Sequence, residues 1–200
     1  MQRKRIKDRR VQKTETLLRD ALTSLIREKA YDSIVVKEIL DRANVGRSAF
    51  YTHFRDKDEL LASSIHEMLR PARSAQLPAS AKPYEKIIRF SLPIFEQVGQ
   101  HRHQHQHAGD AIMDDRSRSI LHERLQNVLV ELIRDDVEQC LQRRGKIVGM
   151  PANVLVNYVA ATFVLVLNWW VEADSPLAAK EVDELFRALV LPTLVTILGE

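Results

Sequence analysis

Four histidines at alternate positions, His101, His103, His105 and His107 in QHRHQHQHAG, are the densest run of potential metal ligands in the chain. The pairs 101/105 and 103/107 are each four residues apart. A helix would place either pair on one face at a spacing that suits a metal ion. Glu96, Asp110 or His122 would complete the coordination. Against this, Gln and Arg interleave the histidines, and a solvated polar connector has the same composition. A solvated connector without metal is the expectation. A metal-binding sensor or metalloprotein built on these four histidines is the alternative.

A second concentration of chemistry lies in Arg47, Ser48, Tyr51, Thr52 and His53. Each side chain can donate a hydrogen bond to a base edge or a phosphate oxygen. Catalysis has no comparable signature. Ser, His and Asp are present, yet there is no Gly-x-Ser-x-Gly, no His-Glu-x-x-His and no Cys-His pairing. No enzymatic activity and no cofactor are expected.

Charge favours a polyanion partner. Residues 1–57 hold 15 Lys+Arg against 8 Asp+Glu, while residues 58–200 hold 15 against 19. A basic end on a mildly acidic body is the electrostatic footprint of a nucleic-acid-binding module. Arg3, Lys4, Arg5, Lys7, Arg9 and Arg10 are expected to form a mobile arm before the first helix. The single cysteine, Cys140, excludes an intrachain disulfide framework and fits a cytoplasmic location. No apolar stretch follows the basic start, so it does not read as a secretory signal. The most apolar run, 154–171, is interrupted by Asn157, Tyr158 and Asn168, so no membrane partner is expected.

The elements that must position these residues read as helices throughout, making the expected fold class all-α. Leu17, Leu18, Ala21, Leu22, Leu25 and Ile26 recur at helical period after Thr14. Val36, Ile39, Leu40 and Ala43 form a short helix, and 47–54 another after the break Asn44-Val45-Gly46. A fourth runs from Asp58 to Leu69 with Asp56 as its cap. The stretch from Pro71 to Pro83 reads as a linker. Beyond it, helices are expected over 84–100 with a kink at Pro93, over 117–144, over 150–173 and over 177–198. The expected domains are 1–60 and 61–200.

Two short helices joined by a tight turn, with a third packed across them, make a helix-turn-helix. Ala43, Val45 and Phe50 would form its small core. Asn44 stands where the chain needs a left-handed residue, which Asn tolerates.

The run from Leu17 to Leu61 resembles the DNA-binding domain of the TetR family of transcriptional regulators. The similarity is densest at Ala49-Phe50-Tyr51-Thr52-His53-Phe54, followed by Lys57, Glu59 and Leu60. The resemblance implies an N-terminal three-helix DNA-binding domain and a C-terminal helical domain for effector binding and dimerisation. It implies a homodimeric, ligand-responsive repressor of a palindromic, double-stranded operator, and a small-molecule effector. Phe50 and Phe54 would be the buried aromatics fixing the recognition helix. Tyr51 and Lys57 would meet phosphates, Lys37 would reach the backbone, and Arg47, Ser48 and His53 would read bases or adjoining phosphates. Relatives often carry Thr or Ser where Ile34-Val35 stands and Ser where Gly46 stands. The first helix of the motif is therefore expected to start with weaker capping, a deficit of about 1 kcal/mol.

In the C-terminal half, Val182, Leu185, Phe186, Leu189, Leu194 and Ile197 are expected to form a dimer seam, with Val159, Phe163 and Val166 facing it. Leu167 to Leu177 resembles the C-terminal region of one TetR subgroup. Phe90, Phe95, Met113, Phe163 and Trp169 are the expected pocket lining. An architectural DNA binder without an effector is the remaining competitor.

Overall fold

The computed structural model describes the backbone of residues 2–70, 82–105, 115–144 and 150–199. Among the described residues there is no strand, and nine α-helices account for the regular structure. The first group comprises α1 (Gln2–Glu28), a 3-10 turn (Tyr31–Ser33), α2 (Val36–Ala43), α3 (Arg47–His53) and α4 (Lys57–Met68). The second comprises α5 (Pro83–Ile88), α6 (Ser91–His105), α7 (Asp115–Arg144), α8 (Ala152–Glu172) and α9 (Ala179–Leu198).

Two compact units emerge. Of the described residues, the first contains 2–67 and 115–121, the second 68–70, 82–105, 122–144 and 150–199. In the first unit α1 packs along α2 and touches α3. Leu18, Ala21, Leu22 and Leu25 supply its buried stripe, whereas Leu17 faces outward. The helix does not wait for Thr14. It runs from Gln2, so the basic run expected to precede the first helix lies within it. Lys, Arg and Gln are good helix formers and no Gly or Pro interrupts them.

α4 starts as the sequence indicates, with Asp56 as its cap. The Asp56 carboxylate accepts the Glu59 N–H at 2.8 Å, and the Glu59 carboxylate accepts the Arg55 N–H at 2.7 Å.

In the second unit α9 is the hub, packing on α5, α6 and α8. Its centre is a set of rings: Phe163 lies 5.0 Å from Phe90, 4.7 Å from Phe95 and 5.4 Å from Phe186, centroid to centroid. Trp170 closes the set, edge-on to Phe95 at 5.9 Å. These spacings suit offset and edge-to-face packing. α8 is long and apolar enough to cross a membrane by length and composition alone. Much of that apolarity is turned into the unit, where Leu155, Val156, Val159, Ala160, Phe163 and Trp170 are buried.

Two expectations need correction, and on α7 the apolar residues divide by burial. Pro93 does not kink a helix from 84 to 100: the chain breaks at Arg89-Phe90 and Pro93 falls in the first turn of α6, where its missing N–H costs nothing. On α7 the buried stripe is Leu125, Val128, Leu129, Ile133, Val137 and Cys140, with Leu121, Leu132 and Leu141 at its half-buried edge. Finally, most of the residues chosen as a dimer seam point inward, Leu189 excepted. Val182, Phe186, Leu194, Val159 and Phe163 are each 0% exposed within one subunit. The apolar side chains left outside are Val154, Leu165, Trp169 and Val171 on α8, and Leu189 on α9. The sequence could not separate these sets, because α8 is apolar on nearly every face. The linker residues 71–81 lie outside the described residues.

Candidate nucleic-acid interface

α2 begins without a side-chain cap. Val35 has no acceptor to offer, but the Glu38 carboxylate accepts the Val35 N–H at 3.0 Å, half of a capping box. The helix ends at Asn44, whose φ of 50° and ψ of 47° are left-handed. The Asn44 and Val45 amides turn back onto Asp41 O and Leu40 O. Gly46 then caps α3 in ordinary extended geometry, and a Cβ there would meet nothing within 4 Å.

α3 is seated by Phe50, fully buried, and Phe54, with ring centroids 5.9 Å apart. Ala43, Ile39 and Ile34 are buried in the same unit, whereas Val45 is only partly covered. With Phe50 pointing inward, the residues beside it point outward. Arg47, Ser48, Tyr51 and Thr52 are exposed on α3, and Lys37 is exposed on α2. The Arg47 guanidinium carbon lies 5.9 Å from the Tyr51 ring centroid, at the outer limit of a cation–π contact. Thr52 spends its one hydroxyl proton on Ser48 O at 2.8 Å, so toward DNA it acts as an acceptor or changes rotamer.

The two remaining nominated residues are engaged with protein. The His53 side chain is 13% exposed and turns to α1, with Nδ1 3.4 Å from Glu15 Oε1. Glu15 also faces Arg19 at 3.6 Å, and Arg19 donates to Ser63 Oγ of α4 at 3.2 Å. Lys57 points back into the protein. Its ammonium donates to Tyr31 O at 2.9 Å, Ile34 O at 3.0 Å and Asp32 O at 3.2 Å. The ammonium that the resemblance assigns to a phosphate thus has a carbonyl partner for each of its three protons. Sequence reading missed Glu15, Tyr31 and Asp58 as parts of this framework; no motif marks them.

Ion pairing sorts the cations of this unit. Arg42 grips the Glu28 carboxylate with both terminal nitrogens and also reaches Ser24 at 2.7 Å. Its hydrogen bond holds the Glu28 carboxyl below its ordinary range. Lys29 does the same for Glu38, helped by the Val35 N–H, and the Arg55 N–H for Glu59. Among the described residues, Lys37 and Arg47 are in no ion pair. These two cations of the α2–α3 face are available to meet an external anion.

The other nominated residues do not assemble. Phe90, Phe95 and Phe163 are buried in mutual ring contact, so the core uses the apolar surface that was expected to line a pocket. Trp169 is 44% exposed, and Met113 lies outside the described residues. His101, His103 and His105 fall in the last turns of α6, while His107 and Asp110 lie outside the described residues. His122 Nδ1 is 2.9 Å from the Asn168 amide nitrogen. Among the described residues no group of three or more His, Cys, Asp or Glu is placed to hold a metal.

A helix seated by a buried aromatic and presenting unpaired cations and hydroxyls beyond a tight left-handed turn defines a helix-turn-helix DNA-binding protein. Comparison with known proteins agrees. The family profile described as bacterial regulatory proteins, tetR family, matches residues 18–63, and that of a transcriptional regulator C-terminal region matches residues 91–191. The chain belongs to the TetR family of DNA-binding transcriptional regulators.

An uncharacterized HTH-type transcriptional regulator of Bacillus subtilis (strain 168), YxbF, is 37% identical over 59 residues. That alignment spans 29% of this chain and only 16% of the relative's length. Among solved structures, a protein of Syntrophomonas wolfei described as a TetR-family regulator superposes with a TM-score of 0.60 at 20% identity, covering 94% of this chain and 96% of its own. A TetR transcriptional regulator of Streptococcus agalactiae 2603V gives 0.51 at 22% identity, covering 92% and 97%. Both likenesses are of fold.

Proposed function

We propose that the chain is a cytoplasmic, ligand-responsive repressor that binds a palindromic operator as a homodimer, each subunit laying α3 in the major groove of one half-site. The observation that carries this reading is the exposed set Lys37, Arg47, Ser48, Tyr51 and Thr52 on helices anchored from behind by Phe50 and Phe54. Arg47 and Ser48, at the start of α3, are assigned to base edges. Tyr51, Thr52 and Lys37 are assigned to the sugar–phosphate backbone. His53 would join them only by leaving Glu15. A second copy would cover the exposed Val154, Leu165, Trp169, Val171 and Leu189, which a lone subunit leaves in water. A small-molecule effector favouring a dimer whose half-site spacing no longer fits would release the DNA.

Genome-wide mapping of bound DNA, followed by footprinting, tests the reading. The expected sites are inverted repeats with half-site centres one or more helical turns apart, a turn being about 10 base pairs. Single half-sites bound by a monomer would refute it.

A further inference from the structure

Lys57 and Asp58 are adjacent in the first turn of α4, and together they take hold of a single residue that precedes α2. Tyr31 is 1% exposed. The Lys57 ammonium sits 4.5 Å from its ring centroid, and the Asp58 carboxylate accepts its hydroxyl proton. The same ammonium closes on three carbonyl oxygens, those of Tyr31, Asp32 and Ile34. These carbonyls converge because the chain makes a 3-10 turn there and then extends through Ile34 and Val35 into α2. An ammonium has three protons, and three acceptors between 2.9 and 3.2 Å satisfy all of them.

The local setting explains why a cation is useful at this point. α2 starts on Val35, which has no hydroxyl to cap it. Glu38 secures the Val35 N–H from in front. Lys57 secures the carbonyls just upstream from the other side, so the entry to the helix-turn-helix is fixed by side chains distant in sequence. A phosphate oxygen could bind this ammonium only by displacing one of the three carbonyls that already satisfy it.

We infer that Lys57 is a positioning residue of the DNA-binding unit: it clasps the turn before α2 to α4 and contributes no phosphate contact. The α2–α3 pair is thus presented to DNA at an orientation set by α4, while counterion release comes from Lys37, Arg47 and other exposed cations. This rests on the α2–α3 face being the DNA surface.

Lysine acylation of the full wild-type chain, read by mass spectrometry with and without a random-sequence duplex at low salt, tests it. Without DNA, Lys57 should label about tenfold or more slowly than exposed Lys37, since reaction requires breaking at least one charge-assisted hydrogen bond. Adding duplex should protect Lys37 and leave Lys57 unchanged. Labelling of Lys57 as fast as Lys37 without DNA, or equal protection of both by duplex, would overturn the inference. If the duplex fails to protect Lys37, the docking face is wrong, and the DNA-free rate still decides the clasp. Lys57→Met adds a second readout: weaker duplex binding with an unchanged slope of log K against log salt. A slope flattened by about 0.9 per subunit would mark a phosphate ligand instead. Should that variant not fold, the wild-type labelling decides alone.

Discussion

Replacing Asp183 by Asn keeps the side chain's shape and removes its charge from the second unit's interior. Asp183 is 4% exposed. Its Oδ2 accepts Arg187 Nε at 2.6 Å, and its Oδ1 accepts the hydroxyl of Ser91, the first residue of α6. The same hydroxyl lies 2.8 Å from Ile88 O, so its single proton is shared between two acceptors. An amide can turn its one oxygen to Arg187 and its NH2 to the Ser91 oxygen, whose proton then goes to Ile88 O, so both contacts survive as hydrogen bonds but lose the carboxylate charge. A hydrogen bond to a charged group contributes about 1.5–3 kcal/mol and a neutral one about 1 kcal/mol. The Arg187 side chain is 32% exposed, and water takes over part of its lost interaction. The expected loss is therefore about 1–2 kcal/mol, from two bonds that each pass from charged to neutral. For a chain of this length that lowers the melting temperature by about 2–8 °C. Both tryptophans, Trp169 and Trp170, are in α8, so intrinsic fluorescence follows this unit selectively. Ser91→Ala shares a bond with Asp183→Asn, so the double variant should lose less than the two single losses together. A tryptophan transition shifted by less than about 0.5 kcal/mol, or strictly additive losses, would refute the reasoning.

Val35→Ser supplies the missing N-cap of α2, completes the capping box with Glu38, and should stabilise the first unit by about 0.5–1 kcal/mol in urea titrations followed by circular dichroism. Gly99→Ala would set a Cβ 3.2 Å from the Trp170 ring, which cannot yield because Nε1 is bonded to Leu177 O at 2.9 Å. Overpacking should outweigh the helix-propensity gain, leaving a net loss of about 1 kcal/mol in thermal melts. Because Glu28 titrates below its usual 4.5 when folded, its pairing with Arg42 stabilises above that value and is lost as pH falls through the lowered one. Glu28→Gln should thus be less stable than wild type at about pH 6, and the gap should close on acidification below about pH 4.5. Lys37→Ala should weaken operator and random DNA binding alike and flatten the salt slope by about 0.9 per subunit, measured by fluorescence anisotropy.

The helices and the motif were legible in the sequence because both are local. Apolar spacing marks a buried stripe within one helix, and the left-handed Asn44, the buried Phe50 and Phe54 and the outward Arg47, Ser48 and Tyr51 follow from positions a few residues apart. The reading failed where a face had to be chosen among several apolar ones. On α8 and α9 most of the residues picked for a partner subunit fill the subunit's own core, Leu189 excepted, and Phe90, Phe95 and Phe163, picked for a pocket, pack on one another. Lys57 is the sharpest case. The resemblance assigns its ammonium to a phosphate beside the recognition helix. Whether its ammonium meets water or the carbonyls of Tyr31, Asp32 and Ile34 depends on contacts across 23 to 26 positions. Tertiary structure alone decides that, because a long flexible cation has no intrinsic direction and goes where acceptors converge.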